Sequence, residues 1–237
     1  MREAIQYLSL LLWFPLVVMV IAALLRGAYR RYPFVFLYTV ASFLTAVVEA
    51  TAYFSFASGS RLAHTYAQYY WVDDGIRQSL LFLVVISLLY LATREIQARA
   101  LVCTSLIAGA VLIAGVTFLV HYDPQGHTSK WMTLWTRDLD FSSAILDLAL
   151  WLILLNSRKF DGELLTITGA LGIRFTGEAI GHALRNQFPG ILLAADTIVV
   201  LANLACFYIW WQVFRTSPVR STAPADSGHL VKSRRLP

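Results

Sequence analysis

Long apolar runs separated by short polar stretches repeat along the chain. A helix needs about twenty apolar residues to cross the roughly 30 Å hydrocarbon layer of a bilayer. Runs of this length are present at 5–25, 33–56, 66–91, 100–121, 134–156, 164–185 and 191–214. They lack the strict alternation of a transmembrane strand. The pattern predicts an all-α, polytopic membrane protein, with a bundle of seven transmembrane helices in residues 1–215.

The composition excludes an ordinary soluble domain. Of the 237 residues, 58% are hydrophobic and 14% are charged, whereas about 25% are charged in a typical soluble domain. The first run is longer than the apolar core of a signal peptide, so we expect it to be retained as a helix. Residues 216–237 are rich in Ser, Pro, Ala and Arg, which predicts a disordered, basic, cytoplasmic tail.

Lysine and arginine residues are concentrated in alternate loops. Arg26, Arg30 and Arg31 follow the first run, and further basic residues follow the third and fifth runs and occur in the tail. Because basic loops remain in the cytoplasm, this distribution predicts an N-terminus outside and a C-terminus inside. Much of the formal net charge of +5 belongs to these basic loops and the tail, which lie beside the lipid bilayer, so we expect no nucleic-acid partner.

Three ionisable residues of the sixth run share one stripe of its helix. Arg174, Glu178 and His182 recur every four residues. A charge deep in a bilayer is costly unless it is paired or hydrated. With a rise of 1.5 Å per residue, Asp147 of the fifth run reaches the depth of Arg174. We therefore expect these two residues to pair and to form the floor of a polar site.

The other charged residues of the runs fall mainly in the outer half of the predicted bundle, and the inner half is apolar. This distribution predicts an outward-facing polar cavity above a closed hydrophobic floor. The candidate ligand-binding residues are Arg174, Asp147, Glu178, Asp196, Glu49, Arg77, Asp74, Asp140 and His182. Acids outnumber bases in this set, so we expect some carboxyl groups to be protonated, hydrated or bound to a cation.

Catalytic, metal and cofactor chemistry has little support in the sequence. The histidines lack His-Glu-x-x-His or comparable spacing, and Cys103 and Cys206 lie in apolar runs, as small buried residues do. The three lysines lie outside the runs, which excludes a retinal Schiff base. A serine of the fifth run with Asp140 and His182 would make a hydrolytic triad, but no motif supports one. We expect no catalytic residue, metal or cofactor.

The fifth and sixth runs contain two distinctive blocks, Trp135-Thr-Arg-Asp-Leu-Asp-Phe141 and Gly172-Ile-Arg-Phe-Thr-Gly-Glu-Ala-Ile-Gly-His182. Together they resemble an uncharacterised family of bacterial seven-span membrane proteins. The resemblance implies that the chain lies in the bacterial inner membrane, and it carries no activity.

The favoured interpretation is a receptor-like or sensory protein that binds a small polar or ionic ligand in the outward-facing cavity. The apolar inner half offers no continuous polar path, and the basic inner loops suit a membrane or cytoplasmic signalling partner. A proton- or ion-coupled transporter is the main alternative, because several acids lack a fixed counter-charge. The remaining alternatives are an accessory subunit of a membrane complex and a membrane-embedded hydrolase.

Overall fold

The described part of the chain consists mainly of α-helices. The computed structural model describes residues 2–57, 61–93, 99–122, 128–156, 161–188 and 192–216. These residues contain no β-strand, and they form seven α-helices and one turn of 3₁₀-helix at Ala28–Arg30. The helices are α1 Arg2–Leu25, α2 Pro33–Ala57, α3 Arg61–Ala92, α4 Arg99–His121, α5 Thr128–Leu155, α6 Gly162–Gln187 and α7 Leu192–Thr216.

Each predicted apolar run coincides with one helix, which confirms the all-α prediction. The largest differences are at the starts of α3 and α5, where the helix begins before the apolar run. Backbone hydrogen bonds can continue a helix into a polar sequence. A prediction from hydrophobicity alone therefore places the start of these two helices too late. The tail predicted at 216–237 lies, apart from Thr216, outside the described residues.

Three helices of the described chain are long and apolar enough to cross a membrane. The segments that meet this measure are Pro33–Thr51 in α2, Val72–Ala92 in α3 and Leu192–Thr216 in α7. The qualifying apolar stretches of α1 and α4 are shorter, and α5 and α6 carry several charged residues. By length and composition, the structure therefore supports three of the seven predicted spans.

Six of the helices form a closed ring. α1 packs against α2 and α7, α2 against α3, α3 against α5, α5 against α6, and α6 against α7. α3 and α6 also meet across the interior, whereas α4 packs chiefly against α5. The ring therefore encloses an interior to which α4 contributes little.

One end of the ring is closed by an ionic contact and an apolar interior. At this end, which we name the Arg31 end, Arg31 donates to Asp161 over 2.8 Å and to Glu163 over 3.0 Å. The contact joins the α1–α2 loop to the start of α6, which Asp161 caps by accepting from the N–H of Leu164. The adjacent interior, which we name the apolar half, is filled by Leu24, Leu89, Leu154, Ile167 and Trp210.

Polar contacts increase towards the opposite end, which we name the Asp196 end. There Arg185 binds Asp196 over 2.9 Å between α6 and α7. His121 Nε2 lies 2.9 Å from Asp138 Oδ2 between α4 and α5. The interior on this side, which we name the polar half, contains Gln78, Asp140, Arg174, Glu178 and Asn203.

Candidate functional site

Arg174 is the centre of the polar half. α6 places it inside the ring with 3% of its surface exposed. Its Nε donates to Oε1 of Glu178 over 3.0 Å, and its Nη1 donates to the hydroxyl of Tyr38 on α2. The guanidinium carbon also lies 5.3 Å from the centre of the Tyr38 ring. Because residues four apart share one face of a helix, α6 itself supplies the counter-charge that a buried arginine needs.

Glu178 connects Arg174 to other helices of the ring. The Nδ2 of Asn203 on α7 donates to its Oε1 over 3.4 Å. Asp140 on α5 lies within hydrogen-bonding reach of Glu178, and it accepts from Nε2 of Gln78 on α3 over 2.5 Å. The network therefore crosses the ring from α3 to α7, and its charged groups are held from several sides.

Two glycines bring α6 and α7 close enough for this network to form. A Cβ added at Gly177 would overlap the Cβ of Ala202, and one added at Gly181 would overlap a methyl group of Val199. This is the G-x-x-x-G spacing with which transmembrane helices approach backbone to backbone. The close approach places Glu178 against α7. The signal for it, two glycines four residues apart, is present in the sequence of the sixth run.

A cavity of about 270 Å³ borders the network between α1, α2, α3, α6 and α7. A cavity of this size has room for several water molecules or for a small ligand. Its polar lining consists of Ser42, Thr45, Glu49, Arg77, Arg174, Glu178 and Asn203. The aromatic residues of the wall are Trp13, Tyr38 and Phe207.

Two polar atoms in the lining residues have no hydrogen-bond partner within the described part of the chain. They are Oγ of Ser42 and Nε of Arg77, and both are buried. Each is a donor, and a buried donor without a partner costs about 1–3 kcal/mol. Neither atom is exposed to the cavity as it stands, so a ligand oxygen could accept from it only after the side chain rotates.

α2 contributes a polar stripe that the sequence prediction contained only in part. Tyr38, Ser42, Thr45 and Glu49 follow one another at helical spacing and line the cavity. Glu49 belongs to the predicted set, whereas the other three were missed because they are uncharged. The available signal was the periodic placement of polar groups within an apolar run.

Four of the nine predicted residues line the cavity, and two more lie beside residues that line it. Those that line it are Arg174, Glu178, Glu49 and Arg77. Asp74 forms an ion pair with Arg77 and accepts from its Nη2 over 2.8 Å. Asp140 holds Gln78 and lies beside Glu178. The structure therefore brings these six acids and bases together in the polar half of the ring, and their role in binding stays a prediction.

Two predicted residues lie away from the cavity at the Asp196 end. Asp196 accepts from Nε of Arg185 over 2.9 Å, so it takes part in the junction between α6 and α7. The side chain of His182 is exposed. Both residues were assigned to the site from their position along the predicted helix. That position does not specify the face of the helix on which a side chain lies.

The expected pairing of Arg174 with Asp147 is not formed. Asp147 is 3% exposed, and a Cβ at Gly172 of α6 would lie 3.5 Å from its Oδ2. The carboxylate that holds Arg174 is that of Glu178, one turn along the same helix. A partner four residues away is already in position when the helix forms, whereas a partner on another helix must also have the correct rotation.

The arrangement is suited to hydrogen bonding and ion pairing, and the groups of a serine hydrolase are not assembled in it. The hydroxyls of Ser142 and Ser143 donate to backbone carbonyls of α5, at Asp138 and Leu139. Within the described residues, no three His, Cys, Asp or Glu side chains are grouped to hold a metal ion.

No protein-family model matches the chain, and neither a curated protein nor a solved structure matches it. The geometry of the cavity and its network is therefore the basis for a functional proposal.

Proposed function

We propose that the chain is a multi-pass protein of the bacterial inner membrane, in which all seven helices cross the bilayer. The Asp196 end faces outward, and the Arg31 end and the C-terminal tail face the cytoplasm. The protein acts as a receptor or sensor that binds a small polar or ionic ligand in the cavity. The single observation that carries this proposal is the polar cavity beside the buried guanidinium of Arg174.

The helices expose large apolar side chains and bury charged ones, which supports seven membrane spans. On α5, Phe141 is 69% exposed, and Ile145, Leu148 and Leu152 are also exposed, whereas Asp147 is buried. Each of the seven helices exposes large apolar side chains in this way. Such a surface is unfavourable in water and is suited to lipid. The charges of α5 and α6 lower their mean hydropathy, but those of Asp147 and Arg174 face the interior.

The cavity lining supports a binding role. Deep charged residues are uncommon in membrane helices and usually mark sites that bind or conduct something. Arg174 is matched by Glu178, so its charge alone does not require a ligand. Ser42 and Arg77 add donors that have no partner among the described residues, and a ligand oxygen would accept from them once these side chains turn towards the cavity.

Sensing is favoured over transport by the apolar half. Large side chains such as those of Leu89, Ile167 and Trp210 fill the interior between the cavity and the Arg31 end. A ligand bound in the cavity would leave by the route through which it entered. The signal would then pass through changes in helix packing to a membrane or cytoplasmic partner.

A proton-coupled transporter is a second candidate, and the position of Asp140 beside Glu178 favours it. Two carboxyl groups within hydrogen-bonding reach strongly disfavour a state in which both are ionised. A pair of this kind is suited to exchanging a proton with a coupled substrate.

Binding is tested by closing the cavity without changing its charges. Ala46 is buried in the cavity wall, and Val48 is exposed on the outer face of the same helix. The purified protein would be dialysed against a defined mixture of amino acids, small carboxylates, amines and inorganic ions, and the retained compounds measured. We expect the wild type and Val48→Phe to retain the same compound and Ala46→Phe to lose it. Retention of nothing by the folded wild type would contradict the proposal.

Transport is tested by charge movement in proteoliposomes under an imposed pH gradient. A receptor gives no sustained current, with or without the retained compound. Sustained current in the wild type that is lost in folded Arg174→Gln would establish the transporter alternative and exclude a purely sensory role.

A further inference from the structure

Asp147 is a buried carboxyl group that does not line the cavity. It lies on α5 inside the ring, 3% exposed, and its Oδ1 has no hydrogen-bond partner in the described structure. Its Oδ2 lies against the backbone of α6 at Gly172. A carboxylate in such a position would carry a charge with neither water nor a counter-charge to stabilise it.

The charged groups on the helices around Asp147 are engaged elsewhere. On α6, Arg174 is bound by Glu178 and Tyr38, and on α3, Arg77 is bound by Asp74. The titratable side chain that the structure describes on α4 is His121, and it binds Asp138 near the Asp196 end. On α7 the buried thiol of Cys206 interacts electrostatically with Asp147, and a thiol carries no positive charge in either protonation state. The described side chains therefore offer Asp147 no cation.

We propose that Asp147 is a proton-binding site, occupied by one proton in the resting protein and separate from the cavity. Binding is the simple addition of a proton to the carboxylate, which gives a neutral carboxylic acid and needs no other reactant. The neutral form removes the uncompensated charge from the interior and converts Oδ1 or Oδ2 into a donor.

The polar half offers a source for this proton. Asp140 lies seven residues before Asp147, so both are on one face of α5 and about 10.5 Å apart along its axis. Asp140 in turn lies beside Glu178, which lines the cavity. Loss of the proton would place a negative charge against the backbone of α6. The site therefore links the protonation state of the interior to the packing of α5 on α6.

Infrared spectroscopy of the protein in lipid nanodiscs at pH 7 tests the proposal. We expect a carbonyl band of a protonated carboxylic acid that shifts in D₂O, is absent from Asp147→Asn and persists in Asp140→Asn. A spectrum of folded Asp147→Asn that keeps the full wild-type absorbance would overturn the proposal. If Asp147→Asn fails to fold, Asp147→Glu serves instead, and the band is then expected at a shifted frequency; an unshifted band would overturn the proposal.

Thermal unfolding at pH 7 and pH 10 gives a second, independent measurement. Asp147 binds its proton in the folded state, whereas the same carboxyl group is ionised in the unfolded state at pH 7. Because the folded state then binds more protons, the wild type is expected to lose more stability between pH 7 and pH 10 than Asp147→Asn. Titratable groups that do not interact with Asp147 contribute equally to both proteins and cancel in this comparison. Equal losses would overturn the proposal. Neither experiment depends on the ligand of the cavity, so failure of the ligand-binding proposal would leave their outcome unchanged.

Discussion

The apolar half and the polar half of the ring satisfy their polar groups in different ways. In the apolar half, Trp210 Nε1 donates to the carbonyl of Ile167 over 3.2 Å, and the hydroxyl of Thr168 bonds within its own helix. In the polar half, side chains such as Gln78 and Asn203 bond to charged side chains on other helices. The first arrangement depends on close packing, whereas the second depends on the relative positions of the helices.

This difference predicts that the apolar half resists rearrangement and that the polar half responds to a ligand. Shifting one helix in the apolar half opens voids, which close-packed interiors resist. In the polar half the cavity leaves space for a helix to shift, and the side-chain hydrogen bonds between helices can rearrange with less loss of packing. We therefore expect a ligand-induced rearrangement to begin around Arg174 and the apolar half to move as a unit.

The largest expected effect comes from removing the central charge of the polar half. Arg174→Gln leaves Glu178 buried without its cation, and we expect a loss of about 3–5 kcal/mol in the free energy of unfolding. The measurement is reversible unfolding in mixed detergent micelles.

A double variant shows whether the loss comes from the stranded acid. Arg174→Gln combined with Glu178→Gln removes both charges, so we expect it to recover more than half of the stability lost in the single variant. A double variant as unstable as the single one would mean that Arg174 acts mainly through Tyr38.

An intermediate effect is expected from the glycine contact that holds the polar half together. Gly177→Ala forces α6 away from Ala202, and we expect a loss of about 1–3 kcal/mol. Gly109→Ala and Gly115→Ala on α4 are matched controls, because a Cβ at either position meets no atom within 4 Å. Alanine favours a helix by about 1 kcal/mol over glycine, so these controls should not destabilise the protein. If Ala substitution cost the same stability at all three glycines, the contact between Gly177 and Ala202 would have no special role.

The helices could be predicted from the sequence, because long apolar runs determine an α-helix with little dependence on tertiary structure. The enrichment of charge in one half of the ring could also be predicted, since position along a helix converts directly into depth. The pairing of individual charged residues could not be predicted. Asp147 and Arg174 share a depth, but Asp147 lies against Gly172 and Arg174 binds its own neighbour Glu178. Only the rotation of each helix decides between such partners, and that rotation is set by contacts along its whole length.

The smallest expected effect tests whether an ion pair at the Arg31 end resembles the one at Arg174. The side chain of Arg31 is 43% exposed, and its partners Asp161 and Glu163 are also partly exposed. Water and salt screen such pairs, so we expect Arg31→Gln to cost about 0.2–1 kcal/mol and less at high salt. Arg30→Gln is the matched control, because it removes the same charge from the same loop and Arg30 has no acidic partner among the described residues. If Arg31→Gln cost as much as Arg174→Gln, burial would not distinguish the two ion pairs, and the contrast between the two ends of the ring would not hold.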